Sequence, residues 1–296
     1  MLMPFAHISD THLDCPGSSD FIKRLHREVR DPLENLTCCL QELAARKVAF
    51  VLHTGDMVHE GDAGDYAILR RLFDKYLPGV PVIAAMGNHD HRAAFREGFL
   101  GIPSPGDEDF TQEVVLDGLR ILVLDSAKSG LIGSVSDAQV DWLEERLASP
   151  APRGTFLMMH HPTVCEHPAM ALEVSPEFSS LVENSDIHAI FTGHTHSNYN
   201  GFFAGKPLYT ADSLAFGMLY IQSEVIYTSR SSYNLCWLDE QGRVTTHNQL
   251  LYPEVQVLQR KSVAQMIQGL PREMLPSPSK GLQTVCIPYI PAAHHV

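Results

Sequence analysis

The chain begins with an apolar run, Pro4 to Ser9, that stops on Asp10. Two more runs of strand length follow, Val48 to His53 and Val80 to Ala85. They stop on Gly55-Asp56 and on Gly87-Asn88-His89-Asp90. Between these runs the apolar period changes. Leu33, Leu36, Leu40 and Leu43 recur at helical spacing behind Asp31, a side-chain cap, and Pro32, which suits the first helical position. Ile68, Leu69, Leu72 and Phe73 form a second such face within Asp62 to Tyr76. Strand, polar tip and helix thus alternate three times. This pattern predicts an α/β fold with parallel strands and reactive residues at their carboxyl ends.

Further on, Glu113 to Leu116 and Leu119 to Asp125 flank the turn formers Asp117-Gly118, which predicts a hairpin. Ser136 to Ser149 has helical period, with Ser136 and Gln139 spaced as a capping box. Gly154 to Met159 and Ile187 to Phe191 are two more apolar strands; the first delivers His160-His161 and the second Gly193-His194-Thr195-His196. After Tyr199, six β-rich runs between 201 and 249 predict a second sheet packed on the first. The periodicity dissolves from Pro253, apart from a short helix expected at Ser262 to Gly269. The expected organisation is therefore a catalytic domain over residues 1–250 and an irregular proline-rich arm over 251–296. The arm is a candidate cap or homo-oligomer contact.

Composition narrows the function. The 296 residues are 44% hydrophobic with a net charge of -13, and no basic run offers a track for a nucleic-acid polymer. A small phosphorylated substrate stays open, because bound metal ions invert the local field. Six cysteines without CxxC spacing read as reduced, mostly buried thiols. The first residues lack a basic segment before a long apolar one, and no apolar run is long enough for a membrane span. A cytoplasmic location is the expectation. The 16 histidines are the anomaly that decides where to look.

Many of those histidines fall on the strand tips. Asp10 and His12, and likewise His194 and His196, stand two residues apart, a spacing that aims both side chains the same way in extended backbone. The tips offer imidazole, carboxylate and amide donors, with no thiolate. This suits Mn²⁺ or Fe, with Zn²⁺ or Co²⁺ as alternatives, over ions that demand all-oxygen shells. Seven such donors exceed one tetrahedral ion and match two ions sharing a carboxylate, as in centres that clamp a phosphoryl group in flight.

In this order, DTH, GD, GNHD, MMHHP and GHTH resemble the motif series of the calcineurin-like metallophosphoesterases, from about residue 4 to about 240. HRAAF and DAQVDWLEERL are in the style of the bacterial class III cyclic-nucleotide phosphodiesterases and glycerophosphodiester phosphodiesterases. The resemblance implies a four-layer αββα sandwich with two packed mixed sheets. It implies Asp10, His12 and His196 on one metal, Asn88, His160 and His194 on the other, and Asp56 between them. It also implies hydrolysis of a small phosphodiester (cyclic nucleotide, other cyclic phosphate or glycerophosphodiester) by a hydroxide bridging the two metals. His89 would face the phosphate and is the candidate general acid; Asp90, next in sequence, is a candidate to orient it or to cap the helix before Arg92. Arg92 and His161 are further candidates to touch substrate, with Asn88 and His89. The tyrosine of the purple acid phosphatase GDxxY motif is replaced by His59, so no iron-tyrosinate is expected.

The runner-up readings are a phosphomonoesterase or nucleotide phosphatase using the same centre, and a metal-binding scaffold without catalysis. Four segments are candidates to set specificity: the loop Cys15 to Asp31, the loop Ser129 to Ser134, the stretch Val164 to Pro176, and the arm.

Overall fold

The structure, a computed structural model, describes residues 2–16, 18–103, 106–127, 130–221 and 224–268. Strand β1 (Met3–Ile8) leads to helix α1 (Asp20–Glu28), which lies in the segment expected to be a loop. Ser19 caps α1 by accepting from the Ile22 amide, and Ile22, Leu25 and His26 form its buried face. Helix α2 (Pro32–Arg46) starts where Asp31 and Pro32 predict and stops at Lys47, whose left-handed backbone ends the helix. Then come β2 (Val51–His53), α3 (Ala63–Tyr76), β3 (Val82–Ala84) and the short α4 (Arg92–Gly98). The hairpin β4 (Gln112–Leu116) and β5 (Leu119–Val123) turns on Asp117-Gly118, both at positive φ.

Next are β6 (Gly133–Ser134), α5 (Asp137–Leu147), β7 (Thr155–Met158), β8 (Leu172–Glu173), α6 (Pro176–Glu183) and β9 (Ile187–Thr192). The capping box expected at α5 does not form. Ser136 has no side-chain cap bond; its hydroxyl donates to Asp109, and the Gln139 amide bonds Asp125 and Asp109. The chain closes through β10 (Tyr199–Phe203), β11 (Lys206–Thr210), β12 (Gly217–Ile221), β13 (Glu224–Thr228), β14 (Ser232–Leu238), β15 (Val244–Leu250), β16 (Val257–Ser262) and α7 (Val263–Gln268).

Two mixed sheets carry the fold, ordered β15-β14-β1-β2-β3 and β10-β11-β9-β7-β5-β4. Within them β1, β2 and β3 run parallel, as do β5, β7, β9 and β11, so their carboxyl ends gather on one edge. Phe5 of β1 joins the sheets: it stacks on Phe50 at 4.7 Å and meets Phe156 and Phe191 of the opposite sheet at 5.7 and 5.8 Å. Truncating so buried an aromatic costs about 3–5 kcal/mol. On the outside, α2 and α3 cover the first sheet with Leu36, Leu40, Leu43, Leu69 and Phe73. Leu143 of α5 and Phe178 and Val182 of α6 pack on Leu122, Leu157 and Ile190 of the second. This is the four-layer αββα sandwich.

The C-terminal β-rich runs do not form the second sheet by themselves. Strands β10 and β11 extend the second sheet, and β14 and β15 extend the first. Strands β12 and β13 pair with β16 in a third, three-stranded sheet. The first part of the arm is therefore a strand and the expected short helix. The oligomer contact expected of the arm falls mainly on residues 269–296, outside the described residues, as does Cys286. The five described cysteines are free thiols. Among the described residues, no helix is long and apolar enough to cross a membrane.

Candidate metal centre

The strand tips meet at the shared edge, but not through extended backbone. Asp10, His12, Asp56, His194 and His196 all take left-handed conformations, with φ of 51°, 44°, 52°, 71° and 47°. This region costs a non-glycine residue about 1 kcal/mol or more and persists only where the surroundings enforce it. Here the surroundings are backbone bonds between tips. The Asp10 and His12 amides donate to the carbonyls of Gly55 and Asp56 at 3.0 Å each, and Gly193 donates to His160 at 2.9 Å. The i, i+2 spacing thus works by a different geometry from the one expected. Gly87 and Gly193 permit the close approach: a Cβ at Gly87 would lie 2.1 Å from Asp56 Oδ1, and one at Gly193 1.9 Å from Ser9 Oγ.

Two groups of donor atoms result, each within 4.8 Å of one another: Asp10, His12 and His196, and Asp56, His160 and His194. Asp56 Oδ2 stands between them, 3.5 Å from His12 Nε2 and 3.3 Å from His160 Nε2. Asn88 Oδ1 joins the second group, 3.2 Å from His160 Nε2. His194 and His196 thus fall in different groups, although they are neighbours but one in the chain.

The donor chemistry fits metal ions. His160 Nδ1 meets the Thr54 carbonyl at 2.7 Å, His196 Nδ1 meets that of Phe216 at 2.8 Å, and His194 Nε2 meets that of Leu131 at 3.0 Å. Each carbonyl accepts from the ring N–H, which fixes the tautomer and turns the other nitrogen's lone pair inward. His160 Nε2 and His194 Nδ1 then face each other at 3.2 Å, and His12 Nε2 faces His196 Nε2 at 3.0 Å. The two lone pairs of His160 and His194 repel at such a distance unless a cation lies between them. Asp10 Oδ1 is buried without a hydrogen-bond partner, a second feature that suits a cation ligand.

The titration behaviour carries the same demand. Burial resists ionisation of Asp56, yet His160, His89 and His12 together hold its carboxyl well below the usual range. Burial likewise resists protonation of His160, but Asp56 and Asp10 raise it to about 9. His194, with burial and His160 both against it, drops to about 3 and stays neutral, as a ligand must.

Four other expected site residues divide. His89 faces the cavity beside the two groups. Its amide donates to Asp56 Oδ1 at 2.9 Å, and its Nδ1 lies 3.1 Å from Glu60. Burial disfavours the imidazolium, but Asp56 and Glu60 outweigh it and raise the pKa. Asp90 does not orient His89. Its oxygens accept from the amides of Met57, Val58 and Gly87 and from the Tyr66 hydroxyl, a clamp that fixes one tip against another. Nor does Asp90 cap α4, whose N-cap is His91.

Arg92 turns away from the cavity to Asp125, at 2.7 Å, and to the Ala127 carbonyl. An arginine so engaged with a buried carboxylate is a strut, which corrects its expected contact with substrate. His161 is also corrected. It is wholly buried, hydrogen-bonded to Ser126 at 2.9 Å, with its ring centroid 4.2 Å from that of His194, which it supports from behind.

Sequence reasoning missed Glu60, which reaches both His89 and His91, and noted His59 only as standing in place of a tyrosine. His59 lies 3.1 Å from His12 Nδ1 and stacks on His89 with centroids 4.2 Å apart. Their position directly after the GD tip was the available signal.

The two groups form one end of a cavity of about 650 Å³. Its other walls carry Phe21 and Ile22 of α1, Phe216, Met218 and Tyr227 around the third sheet, and Lys261 and Met266 of β16 and α7. Leu131 and Met170 complete the lining, so all four segments expected to set specificity contribute to it.

Comparison with known proteins agrees with this geometry. Residues 3–198 match the family model described as calcineurin-like phosphoesterase. The chain is 36% identical over 222 residues to a probable cyclic nucleotide phosphodiesterase of Rhodococcus erythropolis, covering 71% of this chain and 70% of that one. It is 35% identical over 219 residues to a cAMP/cGMP dual specificity phosphodiesterase of Mycobacterium tuberculosis, covering 71% and 67%. In fold it is similar to a dimetal phosphatase from Danio rerio, with a TM-score of 0.50 at 15% identity over 82% of this chain and 98% of that one. The motifs, the sandwich and the family match agree, and the chain belongs to the calcineurin-like phosphoesterase family.

Proposed function

We propose that the protein is a metal-dependent phosphodiesterase that hydrolyses a cyclic nucleotide. The observation that carries this reading is Asp56 Oδ2, placed between two donor groups at the reactive end of a cavity whose lining also carries aromatic rings. Asp10, His12 and His196 would hold one ion and Asn88, His160 and His194 the other, with Asp56 common to both. The nitrogen and oxygen donors favour Mn²⁺ or Fe, with Zn²⁺ or Co²⁺ as alternatives. When bound, two such ions offset phosphate charge and make water nucleophilic near neutral pH.

The side chains supply the rest. Glu60 holds His89 at Nδ1, and no described residue bonds its Nε2, which leaves that atom to meet the phosphate and protonate the departing alkoxide. The backbone bonds between tips keep this geometry in place before substrate arrives, so little reorganisation is needed during reaction. Phe21, Phe216 and Tyr227 offer rings against which a nucleobase can lie. The five described thiols, all free, support a reducing, cytoplasmic setting.

A panel of cyclic nucleotides, glycerophosphodiesters and bis(p-nitrophenyl) phosphate, assayed with Mn²⁺ and with metal counted by elemental analysis, tests the reading. Turnover of the cyclic nucleotides with close to two metals per chain is the expected outcome. Faster hydrolysis of p-nitrophenyl phosphate than of any diester would replace it with a phosphomonoesterase.

A further inference from the structure

The far wall of the cavity is uneven in charge. Lys261 of β16 lines it with its ammonium 3.5 Å from the centroid of the Phe21 ring and 5.7 Å from that of Tyr227. No acidic side chain pairs with it among the described residues, although the chain as a whole carries a net charge of -13. Burial and the neighbouring Arg24 both lower its pKa, as expected of an ammonium short of a partner. An unpaired cation on an aromatic face beside a cavity is a recognition element in search of an acceptor.

Gln265, one turn along α7, sharpens the character of that element. Its side-chain Oε1 accepts from the Ser262 amide at 2.9 Å, while its own amide bonds the Ser262 hydroxyl at 3.1 Å. The carbonyl end of Gln265 is thereby committed to the start of α7, and its NH₂ end is what remains for a ligand. Both polar groups offered by this stretch of the wall, the Lys261 ammonium and the Gln265 amide nitrogen, are donors. A base whose exposed edge carries two acceptors suits them, and one that presents a donor there does not. Guanine offers O6 and N7 on that edge, both acceptors; adenine offers N7 beside the N6 amino donor.

We propose that Lys261, with Gln265, is the specificity-determining element of the cavity and makes the enzyme prefer a guanine cyclic nucleotide over its adenine counterpart. This rests on the cyclic-nucleotide reading above. Phe21 and Tyr227, packed edge to face with centroids 5.3 Å apart, hold the Lys261 ammonium in place, and the two donors read the edge of the base. A pair of such contacts is worth about tenfold in discrimination.

The test compares kcat/KM for 3′,5′-cyclic GMP and 3′,5′-cyclic AMP in the full-length, Mn²⁺-loaded protein and its Lys261→Met and Lys261→Arg variants. Calorimetric binding of 5′-GMP and 5′-AMP gives a readout that needs no turnover. The wild type is expected to favour the guanine ligands about tenfold in both measurements, Lys261→Met to bring both ratios close to one, and Lys261→Arg to keep the preference. Because the readout is a ratio, a general loss of folded or metal-loaded enzyme cancels. Equal use of the two nucleotides by the wild type, or an unchanged ratio in Lys261→Met, overturns the assignment of Lys261 and leaves the cyclic-nucleotide reading standing. Hydrolysis of bis(p-nitrophenyl) phosphate with no turnover of either nucleotide overturns both.

Discussion

The two ends of the cavity are built on different principles. At the reactive end every donor residue follows a core strand, and most sit in left-handed backbone locked by bonds between tips. Asp10 and His160 have no exposed surface at all. At the far end the lining comes from α1, the three-stranded sheet and α7, which share a small apolar cluster around Ile22, Phe216 and Tyr227. The chemistry is thus anchored in the sandwich, while recognition sits on an addition that joins it at His196, whose Nδ1 meets the Phe216 carbonyl and whose own carbonyl accepts from the Met218 amide.

The sharpest way to break this contrast is to remove the shared carboxylate. Asp56→Asn should lower kcat about 10³-fold or more and reduce the metal count per chain, read by steady-state kinetics and elemental analysis. A variant that kept two metals and normal turnover would show that Asp56 does not join the two groups.

Next in size is the strut beneath the reactive end. Arg92→Met strands the buried Asp125 carboxylate and should cost about 3 kcal/mol in urea unfolding, while KM stays near the wild-type value. A rise in KM without loss of stability would return Arg92 to the substrate.

At the far wall a smaller and different effect is expected. Phe21→Ala should raise KM for a cyclic nucleotide about tenfold, well beyond its effect on kcat, since stacking on a ring contributes about that much. Equal falls in kcat and kcat/KM would mean that the wall takes part in chemistry.

The last effect lies behind the tips and shows only in acid. Burial lowers His7 to about 3 and His53 to about 4. Both folded values lie below the unfolded value near ~6.5, so the unfolded chain binds more protons as the pH falls from there. Stability should therefore drop between about pH 6.5 and 4 by as much as ~1.4 kcal/mol per pH unit for each histidine, measurable by urea melts at stepped pH. Replacing His53 by Gln should flatten that slope.

Much of the reactive end was legible in the chain because each donor ends an apolar run, and a parallel sheet collects such ends on one edge. Asp10, Asp56, Asn88, His160, His194 and His196 are found together for that reason. Asp90 and Arg92 were misread because a residue next to a motif in sequence need not share its direction. Asp90 points to the amides of a neighbouring tip and Arg92 to the end of β5. Helix α1 was missed because its apolar face is only two turns long, and that face acquires a partner only when the third sheet folds against it.

The sequence by itself determined the α/β alternation, the order of the tips and the donor types, since these follow from local period and side-chain chemistry. Only the tertiary structure decided which donors stand together and that Asp56 lies between the two groups. It also revealed that Glu60 reaches His89 and that Lys261, about 170 residues further along the chain, lines the same cavity. Those facts depend on strand order and left-handed turns. Both are set by contacts between distant parts of the chain, on which a local pattern carries no information.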